Sequence, residues 1–96
     1  MKHPAVYILA TRKNGTIYTG VTSNLIQRIA QHRDGIIGGF TAQYDVKTLV
    51  WYEPHETMES AILREKQIKA KSRAGKVKLI MASNPEWQDL YSGLLG

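Results

Sequence analysis

The sequence contains no cysteine and no long apolar segment, and both absences exclude classes of protein. Without cysteine, neither a disulfide framework nor a thiolate zinc site can form, which suits a reducing compartment. The first apolar run ends at Ala10, which makes it too short for a transmembrane helix. It also lacks the longer apolar region and the cleavage site of a signal peptide. We therefore expect a cytoplasmic protein that has no membrane association.

Acidic residues are also few, and the basic residues are concentrated in one segment. The chain has eight acidic and thirteen basic residues, which gives a net charge of +5. Residues 64–78 contain seven of the basic residues and a single acid, Glu65. Such a cluster suggests a polyanionic partner, nucleic acid before a membrane, because neutralising phosphates releases counterions. A solvated lysine-rich helix explains the cluster equally well, so charge alone does not decide.

The order of predicted elements indicates the fold class. A chain of 96 residues is enough for one domain, residues 1–96, with a modest core. β-branched and aromatic residues predict strands at 6–9, 17–21 and 47–53. Capping residues and apolar periodicity predict helices at about 24–33, 57–71 and 75–82, with a segment of undetermined type at 40–44. The order β-β-α-(α)-β-α-α predicts an α+β fold, a small three-stranded antiparallel sheet flanked by helices.

The first two strands carry two tyrosines on what we predict is a single face. Asn14-Gly15 predicts a two-residue type I′ turn, which pairs residues whose numbers sum to 29. Strand alternation then places one nearly all-apolar set toward the core: Val6, Ile8, Ala10, Ile17, Thr19 and Val21. Tyr7 and Tyr18 project from the opposite face, beside Gly20, which would let a backbone or a phosphate approach closely. Taken alone, paired tyrosines in a hairpin are more often packing residues.

Three further polar side chains have both a functional and a structural explanation. Arg28 and His32 stand at i and i+4 on one helix face, where they suit phosphate binding and proton exchange or are simply exposed to solvent. Glu65 occupies a core-facing step of the apolar stripe in the helix predicted at 57–71, where an unpaired charge is costly. A structural ion pair or a divalent cation would compensate it. Magnesium needs only one carboxylate when water and a substrate phosphate complete its shell.

The ordered set of these residues resembles the GIY-YIG endonuclease superfamily. Its two signatures correspond to Ala5-Val6-Tyr7 and Tyr18-Thr19-Gly20, followed at the family's interval by Arg28, His32 and the glutamate of "AILREKQIK". The resemblance covers almost the whole chain and is strongest to small stand-alone bacterial members, related to the N-terminal nuclease domain of the excision-repair endonuclease. Ala5, Val6 and Thr19 depart from the family's usual residues, but each suits a strand.

The resemblance implies a site and a reaction. It implies a divalent metal, Mg²⁺ or Mn²⁺, on Glu65 and a phosphodiester held by Arg28 while water attacks. Tyr7 or Tyr18 would be the general base, and the sequence does not say which. His32 would relay a proton or contact the phosphate, and Asn84 resembles a late asparagine near the site of some members. We expect the nucleic acid to contact a set of cations: Arg28, Lys66, Lys69, Lys71 and Arg73.

Three hypotheses follow for function. The first is a metal-dependent endonuclease that hydrolyses DNA, with a role in DNA repair, although the sequence does not distinguish DNA from RNA. The second is a non-catalytic nucleic-acid-binding module that keeps the nuclease fold, and the third is a structural domain with a buried polar network. The intact residue set favours the first. Because no separate DNA-binding domain is present, its activity would be weak or would depend on a protein partner or a homodimer.

Overall fold

The computed structural model describes residues 3–36 and 39–96 and confirms the α+β class. Its strands are β1 (Ala5–Ala10), β2 (Ile17–Thr22) and β3 (Thr48–Pro54). Its helices are α1 (Leu25–Arg33), α2 (Phe40–Gln43), α3 (Met58–Lys69), α4 (Arg73–Ser83) and α5 (Tyr91–Leu95). The strands form the predicted three-stranded antiparallel sheet, and their order in it is β2-β1-β3. No helix within the described residues has the length and apolarity needed to cross a membrane.

Local capping chemistry sets where three of the helices begin. The side chains of Asn24, Thr57 and Ser72 each accept a hydrogen bond from the backbone N–H three residues later. These bonds satisfy donors that have no partner inside the helix. Helix α4 begins at Arg73, directly after its serine cap and two residues earlier than predicted. The segment of undetermined type at 40–44 contains α2.

The central strand β1 is buried on both faces, and each face has its own core. We call the side covered by α3 and α4 the scaffold face and the side that packs with α1 and the C-terminal segment the tyrosine face. The scaffold face joins apolar residues of the sheet to those helices: Val6, Ile8, Ala10, Val50, Trp51, Ala61, Ile68, Ile80 and Trp87. The tyrosine face gathers a second cluster: Ala5, Tyr7, Leu9, Leu25, Ile29, Val46 and Leu49. Alternation along β1 therefore divides the molecule into two layers.

The hairpin differs from the predicted two-residue turn. Strand β1 pairs with β2 so that Ala10 faces Ile17 and Tyr7 faces Gly20, which makes the paired numbers sum to 27 instead of 29. The connecting loop is longer because the Gly15 N–H donates to the Arg12 carbonyl. Within this loop, φ is positive at Asn14 but not at Gly15, whereas a type I′ turn needs a positive φ at both central residues. The predicted register was wrong by two residues, and because two is the strand repeat the predicted faces are unchanged.

The C-terminal segment is tied onto the tyrosine face. The Leu90 N–H donates to the Leu49 carbonyl at 2.8 Å. Asp89 accepts the Leu49 N–H and forms an ion pair with Arg33 of α1. The Arg33 guanidinium also lies 4.8 Å from the centre of the Tyr91 ring. These contacts hold α1 and α5 against the layer that contains the two tyrosines.

Candidate active site

Tyr7 and Tyr18 lie side by side on the tyrosine face. Their ring centroids are 6.4 Å apart, and Tyr18 stands diagonal to Tyr7 because Gly20 faces Tyr7 directly. A β-carbon at Gly20 would lie 2.5 Å from both Cζ and Oη of Tyr7. The space above this glycine is therefore filled by the Tyr7 ring. We had expected it to admit a backbone or a phosphate, and that expectation is corrected: Gly20 lets Tyr7 lie flat across β2 toward the edge of the sheet.

A buried chain of hydrogen bonds extends from Tyr7. The Tyr7 hydroxyl and Nε2 of His32 are 3.1 Å apart, and Nδ1 of His32 and Oγ1 of Thr41 are 3.0 Å apart. All three residues are buried. His32 reaches this position from α1, and Thr41 reaches it from α2. No sequence pattern pointed to the threonine, because it lies in the segment whose type was undetermined and follows no periodic pattern.

Burial sets the protonation of this chain. It raises the pKa of the Tyr7 phenol above its ordinary value of 10.0; the Tyr18 and Glu65 charges add to the rise and the Arg28 charge opposes it. Burial and then the Arg28 charge lower the pKa of His32 below 6.5. Near neutral pH the phenol is protonated and the imidazole is neutral. We assign the Tyr7 O–H as donor to Nε2, with the Nδ1–H donating to Thr41.

Arg28 brings a positive charge to this cluster. It lies on α1 four residues before His32, so the two share a helix face. Its charge acts on the pKa values of both Tyr7 and His32, which shows that the guanidinium is close to both groups. No ion pair among the described residues engages Arg28; the cations that are engaged are Lys13, Arg33, Lys47, His55, Arg64 and Lys69. Its fork of donors is therefore available for an anion.

Glu65 joins the cluster from the opposite layer. It lies on α3 between the buried Ala61 and Ile68, and its side chain is only 15% exposed, as the apolar stripe predicted. Its charge adds to the rise in the pKa of Tyr7. The partner of its carboxylate is Lys69, at 3.3 Å and one turn later. The sequence predicted an ion pair or a cation for this carboxylate but did not identify the lysine.

The donor set allows a single-carboxylate metal site. Within residues 3–36 and 39–96, no three side chains of His, Cys, Asp or Glu gather to hold an ion. Glu65 alone offers a carboxylate at the cluster, and the lysine paired with it is half exposed and free to swing into solvent. One carboxylate with water and a substrate phosphate suits Mg²⁺, which keeps much of its hydration shell. The residues present fit that kind of ion.

The remaining predicted cations are placed in different settings. Lys66 and Lys71 are exposed, so they are accessible to a polyanion. Arg73 donates to the carbonyls of Asn14 and Gly15, at 3.0 and 2.7 Å, and so holds the hairpin loop against α4. This contact gives Arg73 a structural task that the sequence did not indicate. Contact of these residues with nucleic acid stays a prediction.

Asn84 lies apart from the hydrogen-bonded chain of Tyr7 and His32. Its side-chain amide is buried and donates to the carbonyls of Val50 and Gln88, at 3.0 and 2.8 Å. Its side-chain oxygen accepts the Gln88 N–H at 3.0 Å. The side chain therefore fastens the end of α4 to β3 and to the segment that follows. These bonds give Asn84 a structural task, and a role for it in the site stays a prediction.

Comparisons with known proteins point in one direction. Residues 3–78 match the family model described as the GIY-YIG catalytic domain. The chain is 39% identical over 82 residues to a UPF0213 protein of Syntrophus aciditrophicus, covering 84% of this chain and 92% of that protein. It is 36% identical over 75 residues to a UPF0213 protein of Staphylococcus saprophyticus, covering 78% and 90%. A solution NMR structure of a UPF0213 protein from Bacillus halodurans superposes with a TM-score of 0.57 at 30% identity, covering 93% of each chain.

Proposed function

The chain belongs to the GIY-YIG family of nuclease domains, and we propose that it is a metal-dependent endonuclease that hydrolyses phosphodiester bonds in DNA. One observation carries this proposal. An arginine and a glutamate from different layers both act electrostatically on the hydroxyl of Tyr7, which is held by a neutral histidine beside a second tyrosine. A cation, a carboxylate and an acid–base group at one point are what phosphodiester hydrolysis requires.

The two tyrosines receive different roles in this proposal. Tyr7 is 1% exposed and its hydroxyl is held by His32, so it positions its neighbours and does not meet the water. Tyr18 is partly exposed, and among the described residues no hydrogen bond engages its hydroxyl. The Tyr18 oxygen accepts a proton from the attacking water while the hydroxyl passes its own proton to solvent. The water oxygen then bonds to phosphorus as the bridging P–O bond breaks, and the leaving oxygen takes a proton from solvent.

Arg28 and Glu65 complete the proposed machinery. The Arg28 guanidinium binds two non-bridging oxygens of the phosphate and stabilises the charge that grows on them. Glu65 would hold the divalent ion, in place of its ion pair with Lys69. When bound, such an ion acts as a Lewis acid that polarises the phosphate. The His32–Thr41 link keeps the Tyr7 ring flat on Gly20, and so leaves room beside it for Tyr18.

A plasmid-nicking assay tests the proposal. Supercoiled DNA is incubated with the protein in Mg²⁺ or Mn²⁺ and, separately, in chelator, and nicked product is quantified. We expect nicking only with metal, and we expect Glu65→Gln, Arg28→Ala and Tyr18→Phe each to lower the rate by about a hundredfold or more. Circular dichroism should show that all three variants keep the fold.

Two surface substitutions serve as matched controls. Glu59→Gln removes an exposed carboxylate from the first turn of the same helix as Glu65, and Arg12→Ala removes an exposed guanidinium from the hairpin loop. Both should nick like the unmodified protein. Nicking that persists in Glu65→Gln and Arg28→Ala would identify a contaminant and refute the assignment. DNA binding without cleavage of supercoiled, branched or single-stranded DNA would instead favour the non-catalytic binding module.

A further inference from the structure

Two aromatic side chains beside the candidate site are exposed to solvent without an obvious structural reason. Phe40 is 45% exposed and Tyr44 is 51% exposed. They stand at i and i+4 across α2 and its C-terminal cap, with ring centroids 4.9 Å apart. A side chain that only fills a core would have its ring inside, so this pair presents aromatic surface outward.

The aromatic pair is continuous with the candidate site. The Phe40 ring stacks on Tyr18, with a centroid separation of 6.2 Å and an angle of 25° between the planes. Tyr18 in turn lies 5.9 Å from the ring of His32. The three rings of Tyr18, Phe40 and Tyr44 therefore form one row that runs outward from the proposed catalytic hydroxyl, and we call this row the aromatic platform.

Neighbouring backbone and side-chain contacts hold the platform in place. Thr41, the residue after Phe40, is buried and bonded to His32. The Thr41 carbonyl accepts the Val46 N–H at 2.9 Å, and the Phe40 carbonyl accepts the Tyr44 N–H at 3.1 Å. Helix α2 thus turns Thr41 inward and the two aromatic rings outward. A rigid ring loses little entropy when a ligand stacks on it, so this arrangement suits binding.

We propose that Phe40 and Tyr44 form a stacking site for an unpaired nucleobase next to the phosphate that is cleaved. The inference rests on the proposed function for the identity of that phosphate. Bases that are stacked inside a duplex cannot present their faces to a protein ring, whereas unpaired bases can. Aromatic rings combined with positive charge are the usual means of binding single strands, and this chain has a net charge of +5.

The chemistry of the platform favours a base over other occupants. The exposed rings of Phe40 and Tyr44 offer flat faces, which suit the flat face of a ligand. Arg28, which acts on His32 beside Tyr18 at the other end of the row, takes a phosphate. The exposed acid beside the platform, Asp45, is paired with Lys47 at 3.1 Å and does not leave a free negative charge there. A single nucleotide has both a flat face and a phosphate, and so matches both ends.

Binding measured without cleavage tests the proposal. The probe is a fluorescein-labelled oligothymidylate of about 16 nucleotides, within the length that a single-strand-binding fold covers. A duplex of equal length is the second probe, and anisotropy is recorded in chelator so that no DNA is cut. We expect Phe40→Leu and Tyr44→Leu each to weaken single-strand binding by about fivefold or more and duplex binding by less than about twofold. Phe40→Trp and Tyr44→Phe should keep the preference for single strands.

A matched control and a clear criterion make the test decisive. Leu63→Ala removes an exposed apolar side chain from α3, and it should change neither binding constant. The quantity that decides is the ratio of duplex to single-strand dissociation constants. A fall of that ratio in both leucine variants supports the platform, and an unchanged ratio, or no binding by the unmodified protein, refutes it. If the ratio falls but the plasmid assay shows no nicking, the stacking site stands and the proposed endonuclease activity fails.

Discussion

The two faces of strand β1 differ in chemistry although both are fully buried. On the scaffold face, Val6 and Ile8 belong to a cluster of apolar side chains from the sheet, α3 and α4. On the tyrosine face, Tyr7 enters a hydrogen-bonded chain that ends at Thr41. Buried polar groups need partners, so the second face has little freedom to change, whereas the first needs only suitable volumes. One strand thus supplies stability with one set of residues and the candidate chemistry with the alternate set.

The two faces meet at the edge of β2. Tyr7 starts on the central strand, but its ring crosses Gly20 toward that edge. Helix α3, which carries Glu65, packs against β2 and β1 from the scaffold side. A carboxylate from one layer can therefore act on a hydroxyl from the other. Strand β2 stands at the edge of the sheet, and no further strand among the described residues pairs with its outer side.

The largest expected effect is a difference in stability between a substitution on the scaffold face and one on the tyrosine face. Ile8→Ala leaves a cavity on the scaffold face and should lower the free energy of unfolding by about 2–5 kcal/mol, a large part of what a small domain has. Tyr7→Phe keeps the ring and removes one hydrogen bond, so it should lower the free energy of unfolding by only about 1–2 kcal/mol. Urea denaturation measures both. An equal loss in the two variants would mean that the polar chain holds the fold as strongly as the apolar core does.

A second pair of substitutions tests the crossing of the ring over β2. Gly20→Ala places a methyl group 2.5 Å from Tyr7 Oη, so the ring must move and the bond to His32 breaks. We expect a loss of about 1–3 kcal/mol together with loss of nicking. Gly93→Ala is the matched control, because a β-carbon there meets nothing within 4 Å in α5. It should raise stability by about 0.5 kcal/mol through reduced chain entropy. If both variants behaved alike, contact with Tyr7 would not explain why position 20 is glycine.

A smaller effect appears as a pH dependence of the tyrosine face. The pKa of His32 in the folded protein lies below its unfolded value of 6.5, so the unfolded chain binds more protons between the two values. The contribution of His32 is fully present above pH 6.5 and is lost as the pH falls through the folded pKa. Urea midpoints measured from about pH 7.5 to about pH 5.5 should decline in the unmodified protein and decline less in His32→Asn. Parallel slopes in the two proteins would show that another group titrates.

What the sequence predicts and what it misses have separate physical causes. Strand alternation has a period of two, so Tyr7 and Tyr18 were placed on one face although the predicted register was wrong by two residues. The stripe of α3 placed Glu65 at a buried step because helical spacing is equally regular. The bond between His32 and Thr41 and the bonds from Arg73 to the hairpin loop join segments that are distant in the chain, so no local sequence pattern predicts them. The same is true of the aromatic platform, whose outward direction follows from the inward turn of Thr41.

The smallest expected effect concerns the ion pair that covers Glu65. Lys69 is 51% exposed, and exposed pairs contribute about 0–1 kcal/mol, so Lys69→Gln should change stability by no more than about 0.5 kcal/mol. The same substitution removes a competitor for the carboxylate, so half-maximal nicking should require less Mn²⁺ than in the unmodified protein. Lys66→Gln, an exposed neighbour on the same helix, is the control and should leave the metal requirement unchanged. If Lys69→Gln instead abolished nicking as Glu65→Gln is expected to do, the lysine would belong to the reaction and Glu65 would not be free to hold an ion. The metal requirement of Lys69→Gln therefore distinguishes a Glu65 carboxylate that binds a metal ion from one that only pairs with Lys69.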